Sequence, residues 1–213
     1  MSPSPASHLR PLPLWALVSA FVAPVAYIGG WMYAGAVTTM YDPVRSSVSD
    51  LAAGDAPHRW IMTAALVVAG LAYLVTAIGL RPADGAGRTL LGVGGVATLI
   101  VAWIPNTHVG HNVVGHMIVT YLAYASLSLW PAVIARNVAG APLVLRPTFG
   151  KTAAIVMGIL ALVTVADIIT GGATLGLRER ILTTAQLLVP LVVALGAVRL
   201  PSPVAPHQPV HHG

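Results

Sequence analysis

Six long apolar stretches divide the chain, at roughly 14–36, 60–80, 89–105, 113–135, 152–172 and 181–199. A bilayer core takes about 20 mostly apolar residues of helix to cross, and each stretch approaches that length. The expectation is an all-α fold: a polytopic transmembrane bundle of six helices. Composition points the same way. Hydrophobic residues make up 56% of the 213 and charged ones 8%, where a soluble domain carries about 25% charged residues. With so few charges to cover a wet surface, lipid must be the main solvent, and the chain reads as a multi-pass protein of the cell membrane.

The eleven Lys and Arg outnumber the six Asp and Glu, but they are scattered with no basic run. Nucleic acid is therefore not an expected partner, and the excess reads as loop charge that sets orientation. No cysteine is present, which excludes disulfides, thiolate nucleophiles and Cys-ligated metals. With the N-terminus inside, Arg10, Arg81, Arg88, Arg136, Arg146, Lys151 and Arg199 are cytoplasmic, and Arg45, Arg59, Arg178 and Arg180 lie outside. That seven-to-four division favours N-in and C-in. Trp15, Trp31, Trp60, Trp103 and Trp130 fall near span ends, where an amphipathic ring belongs. Val18-Ser19-Ala20 faintly resembles a signal-peptidase site, but the apolar run continues past it, as in an uncleaved anchor. The third span, with Gly92, Gly94 and Gly95, is expected to pack closely on its neighbours. One membrane domain over 13–199 is expected between Pro-rich tails at 1–12 and 200–213; the second tail carries His207, His211 and His212.

Unusual polar residues gather on the outer side. The first outer loop runs Tyr41-Asp42-Pro43-Val44-Arg45-Ser46-Ser47-Val48-Ser49-Asp50-Leu51. Ser47 and Asp50 have the spacing of a capping box, with Asp where Glu or Gln is usual, and a short surface helix would satisfy it. Alternatively, Ser46, Ser49 and Asp50 share a helical face and aim hydroxyls and a carboxylate into the mouth of the bundle.

The second outer loop, from Trp103 to His116, has no formal charge but holds His108, His111 and His116. Three imidazoles can bind zinc and leave a position open. On one helix, however, His111 and His116 lie about 140° apart, so convergence needs a bend at Gly110, and no HExxH pattern is present. No metal is expected. His116, at the opening of the fourth span, can instead transfer protons or hydrogen-bond, while solvated loop histidines are the plainer alternative.

Asp167 lies inside the fifth span. A carboxylate at the centre of a bilayer costs about 2.5–3.5 kcal/mol on insertion scales, so it generally faces the bundle interior. It reads as a proton-handling catalytic residue or as a protonated or Arg-paired structural residue. Beyond it, Gly176-Leu177-Arg178-Glu179-Arg180 sets one carboxylate between two guanidiniums. Arg180 and His116 are the expected partners of Asp167. The candidate catalytic set is Asp50, His116 and Asp167, and the candidate ligand-binding set is Ser46, Ser49, His108, His111, Glu179 and Arg180. Ser49, Asp50, His116, Asp167, Glu179 and Arg180 are expected to line one outward pocket.

At these residues the chain resembles the bacterial six-helix membrane proteins known as domain of unknown function 998. Tyr41, Pro43, Ser46, Ser49, Asp50 and Leu51, the His-bearing start of the fourth span, and Gly176-Leu177-x-Glu179-Arg180 carry the resemblance, which spans roughly 14–199. It implies a fold and a membrane location but no reaction and no cofactor. A more distant analogy runs to the alkaline ceramidase and progestin-receptor-like hydrolases, which set Ser, Asp and three His around zinc in seven helices; here there are six spans, with the histidines in one segment. Three functions fit an outward polar pocket. One is a lipid-phase enzyme doing hydrolytic or acid–base chemistry on a lipid or isoprenoid, the second a carrier or binder of a small apolar or cationic ligand, and the third an assembly protein. Membrane lipids are the expected surroundings in every case.

Overall fold

The computed structural model describes residues 11–135 and 141–198. Most of both expected tails, with His207, His211 and His212, lies outside the described residues, as do Arg10, Arg136 and Arg199 of the charge count. The described residues form six α-helices: α1 (Leu14–Val37), α2 (Arg59–Gly79), α3 (Gly85–Trp103), α4 (Val114–Leu129), α5 (Pro147–Thr170) and α6 (Leu175–Val198). Among the described residues there is no strand. Five helices, all but α4, are long and apolar enough to cross a membrane. This is the all-α bundle of a multi-pass membrane protein.

Helix limits follow local chemistry. The α3 helix starts at Gly85, ahead of the apolar run, because Asp84 caps it and accepts the Ala86 N–H at 3.0 Å. The α4 helix is 16 residues long and tightens into a 3₁₀ turn over Trp130–Val133, where Pro131 supplies no N–H to continue an α-helix. The α5 helix opens on Pro147, whose fixed φ suits a first helical position. The sixth helix starts earlier than expected. It begins at Leu175, so Arg178, Glu179 and Arg180 stand on its first turns and not in a loop.

Close packing relies on small residues, as it must where lipid removes much of the hydrophobic drive between helices. A Cβ on Gly95 would lie 2.9 Å from the Gly70 carbonyl, so α2 and α3 touch backbone to backbone. Ser19 and Thr76 share a hydrogen bond of 2.8 Å between α1 and α2. At the end where α2 turns into α3, Arg88 donates from Nε to the Ala77 carbonyl at 2.8 Å and from Nη2 to the Ile78 carbonyl at 2.7 Å. A cation there satisfies carbonyls that the end of α2 leaves unpaired.

Trp15, Trp60 and Trp103 are exposed near helix ends, as the belt reading expects. Trp130 is 0% exposed and belongs to the core, and Trp31 lies beneath the Arg180 guanidinium, 4.8 Å from ring centroid to Cζ. Exposed Phe21, Ile78, Ile118, Leu162 and Leu195 cover the outside of the bundle, a surface that suits lipid. Helix alternation brings segments 38–58, 104–113 and 171–174 to one end, and the polar groups concentrate there.

Candidate functional site

The site is built on the Tyr41–Asp50 loop, which the start of α6 holds in place. Arg180 is 6% exposed and directs its two terminal nitrogens toward this loop and the first turn of α6, while its Nε is buried with no partner among the described residues. Its Nη1 donates to the carbonyls of Pro43 at 2.8 Å, Ser46 at 3.2 Å and Gly176 at 2.8 Å, and its Nη2 donates to the Tyr41 hydroxyl. Tyr41 in turn donates to the Ser47 carbonyl at 2.8 Å. The loop sits so close that a Cβ on Gly176 would collide with the carbonyls of Ser46 and Pro43. Burial pushes the Tyr41 phenol up to about 12, with the Arg180 charge opposing the rise.

A second set of bonds ties this loop to the one before α4. Ser47 and Asp50 form the reciprocal pair that their spacing predicts: the Ser47 N–H donates to Asp50 Oδ2 at 2.9 Å, and the Asp50 N–H donates to Ser47 Oγ at 3.0 Å. The turn that follows is a single 3₁₀ turn over Ser49–Ala52. The other oxygen of Asp50 accepts the Gly110 N–H at 2.9 Å, and Asp55 Oδ1 accepts the Val109 N–H at 2.9 Å. That Val109 bond, with help from His108, holds the exposed Asp55 carboxyl below its usual range. Buried Asn106 closes the second loop on itself by accepting the Val113 N–H at 3.0 Å.

These bonds set Ser49 beside His116. Ser49 Oγ lies 3.1 Å from His116 Nε2, and His116 Nδ1 lies 2.7 Å from the Ile104 carbonyl. A carbonyl can only accept, so Nδ1 carries a proton, and in the neutral imidazole Nε2 keeps its lone pair. With the ring neutral, Ser49 is the donor. A hydroxyl donating to an imidazole that a third group orients is the arrangement that activates serine nucleophiles.

Two adjoining cavities open beside this pair. The shallower, about 20 Å³, is lined by Ser47, Ser49, Asn112, His116, Tyr121, Ile168 and Leu175 among others. The deeper, about 50 Å³, reaches Tyr27, Tyr73, Thr98, Gln186 and Leu187. Ser49, Thr120, Tyr124 and Glu179 line both. Glu179 is 4% exposed; its Oε1 accepts from the Tyr124 hydroxyl at 3.1 Å and its Oε2 from the Val48 N–H at 2.7 Å. Among the described residues no cation lies within ion-pair distance of it.

Of the residues expected to share one pocket, Ser49, His116 and Glu179 do so. Asp50 does not line either cavity, because both its oxygens are taken by backbone N–H groups of the loops. Arg180 faces away, toward the Tyr41 loop. Asp167 also lies off the cavities: Oδ1 accepts from Arg178 Nη1 at 2.9 Å and Oδ2 from Thr174 Oγ1 at 3.3 Å. Its partner is thus Arg178, not Arg180 or His116, since the short turn between α5 and α6 sets the first turn of α6 beside the last turn of α5. Ser46 contributes its carbonyl to Tyr41 and Arg180 and lines neither cavity. The histidines diverge. His108 pairs with Asp55 at 3.3 Å, His111 packs edge-on against His108 with 6.2 Å between centroids, and His116 turns to Ser49. Among the described residues no three His, Cys, Asp or Glu come together in a way that could hold a metal.

Sequence reasoning missed Tyr27, Tyr73, Thr120, Tyr124 and Gln186. The signal was present in each: a hydroxyl or amide within an apolar span must find a partner or a cavity.

No curated protein and no solved structure matches the chain. A family model described as "Protein of unknown function (DUF998)" matches residues 21–196, and the chain belongs to that family.

Proposed function

We propose that this protein is a lipid-phase hydrolase or acyl transferase, with Ser49 as nucleophile and His116 as general base. It would sit in the cell membrane with both termini in the cytoplasm, so that the polar end faces outward; the seven-to-four division of basic residues supports that orientation. One observation carries the catalytic reading: Ser49 donates to His116 Nε2 while the Ile104 carbonyl fixes the imidazole from the other side, and both side chains line a cavity. In the reaction, Ser49 Oγ attacks an acyl carbonyl carbon as His116 Nε2 takes the hydroxyl proton. His116 then returns that proton to the leaving oxygen or nitrogen, giving an acyl-serine. Water or another hydroxyl attacks next, losing its proton to His116, and the serine is restored. Asp50 serves as a positioning residue for the loops, and Asp167 braces the α5–α6 hairpin. The shallow cavity is small, about 20 Å³, and the acyl or isoprenoid chains would lie in the surrounding bilayer.

The test is covalent. Purified protein in detergent, treated with an alkyl fluorophosphonate, should gain one adduct that peptide mapping assigns to Ser49. Ser49→Ala should abolish the adduct, and His116→Ala should slow it by about 10²-fold or more. Labelling that persists in Ser49→Ala, or is absent from folded wild-type protein, overturns the reading.

A further inference from the structure

We propose that the deep cavity binds a primary ammonium group, with the Glu179 carboxylate as its counter-ion. The only acidic or basic side chain in the wall of this cavity is Glu179; among the described residues no Lys, Arg or His lines it. Arg180, next in sequence, acts on Glu179 only from beyond ion-pair distance, because the Tyr41 loop and the Gly176 carbonyl engage its guanidinium. A buried carboxylate with no cation partner is expensive to maintain, and it repels anions. Its two bound donors, Tyr124 and Val48, leave about two of its roughly four lone-pair sites unused.

A second observation is independent of that charge. The Thr120 hydroxyl is buried, lines the same cavity and has no hydrogen-bond partner. Buried polar groups are rarely left so unless something else fills the space. An ammonium offers three N–H donors, and Glu179, Thr120 and the lone pairs of Ser49 are acceptors in the one wall. Tyr27, Tyr73 and Tyr124 supply phenol rings around them, and aromatic walls favour cations over anions. Donor chemistry narrows the class: a primary ammonium can give an N–H to each of these acceptors, whereas a quaternary ammonium has none to give.

Extending this to a substrate rests on the Ser49–His116 reading. Because Ser49 and Glu179 line both cavities, the substrate would be an acyl ester or amide with its ammonium a few bonds from the carbonyl. The binding half does not depend on that reading.

The experiment titrates methylammonium chloride into wild-type protein in nanodiscs by calorimetry, with tetramethylammonium chloride and sodium chloride as controls at equal ionic strength. Expected is saturable binding of methylammonium that neither control reproduces, about tenfold weaker or more in Glu179→Gln and several-fold weaker in Thr120→Val. If Glu179→Gln does not fold, Thr120→Val and the wild-type controls decide. No saturable binding, equal binding of sodium, or undiminished binding in Glu179→Gln or in Thr120→Val overturns the proposal. Methylammonium binding without fluorophosphonate labelling would sink the acyl-serine reading alone; labelling without binding would sink this one alone.

Discussion

The Gly110 N–H donates to Asp50 Oδ1 at 2.9 Å, joining two loops that lie sixty residues apart in the sequence. With the Ser47 N–H on its other oxygen, the Asp50 carboxylate serves as a clasp. Asp50→Ala is expected to cost about 1–3 kcal/mol, the range for losing hydrogen bonds to a charged acceptor. It should also raise amide hydrogen exchange at Gly110 and its neighbours. Exchange there that stays at the wild-type rate would show the clasp to be unimportant.

Asp167 and Arg178 form an ion pair at 2.9 Å, with side chains 10% and 42% exposed. Removing only the cation strands a nearly buried carboxylate, so Arg178→Ala should destabilise the protein by about 1–3 kcal/mol, between the surface and fully buried extremes. Asp167→Asn combined with Arg178→Ala should be more stable than Arg178→Ala alone. Thermal unfolding in detergent measures both, and a double variant less stable than the single one contradicts the pairing argument.

Tyr41 predicts a response to alkali. Its phenol titrates near 12 in the folded protein, against about 10 in an unfolded chain. Between those values the unfolded state has lost the proton and the folded state keeps it, so the unfolded state binds fewer protons and stability falls as pH rises. The contribution is complete below about pH 10 and fades toward pH 12. Tyr41→Phe should be less stable than wild type at pH 8, yet should lose less on going from pH 9 to pH 11.5. Parallel pH profiles for the two proteins would count against this account.

Orientation can be tested with reporters that work only in the cytoplasm. A reporter fused after Asp84 should be active and one fused after Gly110 silent. The opposite result would turn the polar end inward and move the proposed substrate to the cytoplasmic leaflet.

The helices were legible because a run of apolar side chains has one stable answer in lipid. The polar end was legible only in its inventory. Ser47 and Asp50 announced their mutual bond through spacing, because capping is local. Ser49 and His116 were each singled out, but their contact depends on how Asp50 and Asn106 fold two loops, which no local pattern encodes. The start of α6 was misplaced because Arg178 and Arg180 depress hydropathy there, although both are paired within the structure. Tyr27, Tyr73 and Tyr124 were hidden for the opposite reason: in an apolar run a tyrosine looks like any other large core residue until its hydroxyl is seen to need a partner.

The bond from Val48 to Glu179 spans 131 residues, and this separation has a consequence for biogenesis. A membrane chain is inserted from its N-terminus onward, so the first five helices enter the bilayer before Glu179 arrives. Until α6 joins them, Val48 has no acceptor, the Tyr41 loop has no anchor and the deep cavity is missing a wall. The protein therefore passes through a stage in which most of its mass is already embedded while Ser49, the proposed nucleophile, has no finished pocket beside it, and the entry of one helix completes the architecture and the pocket together.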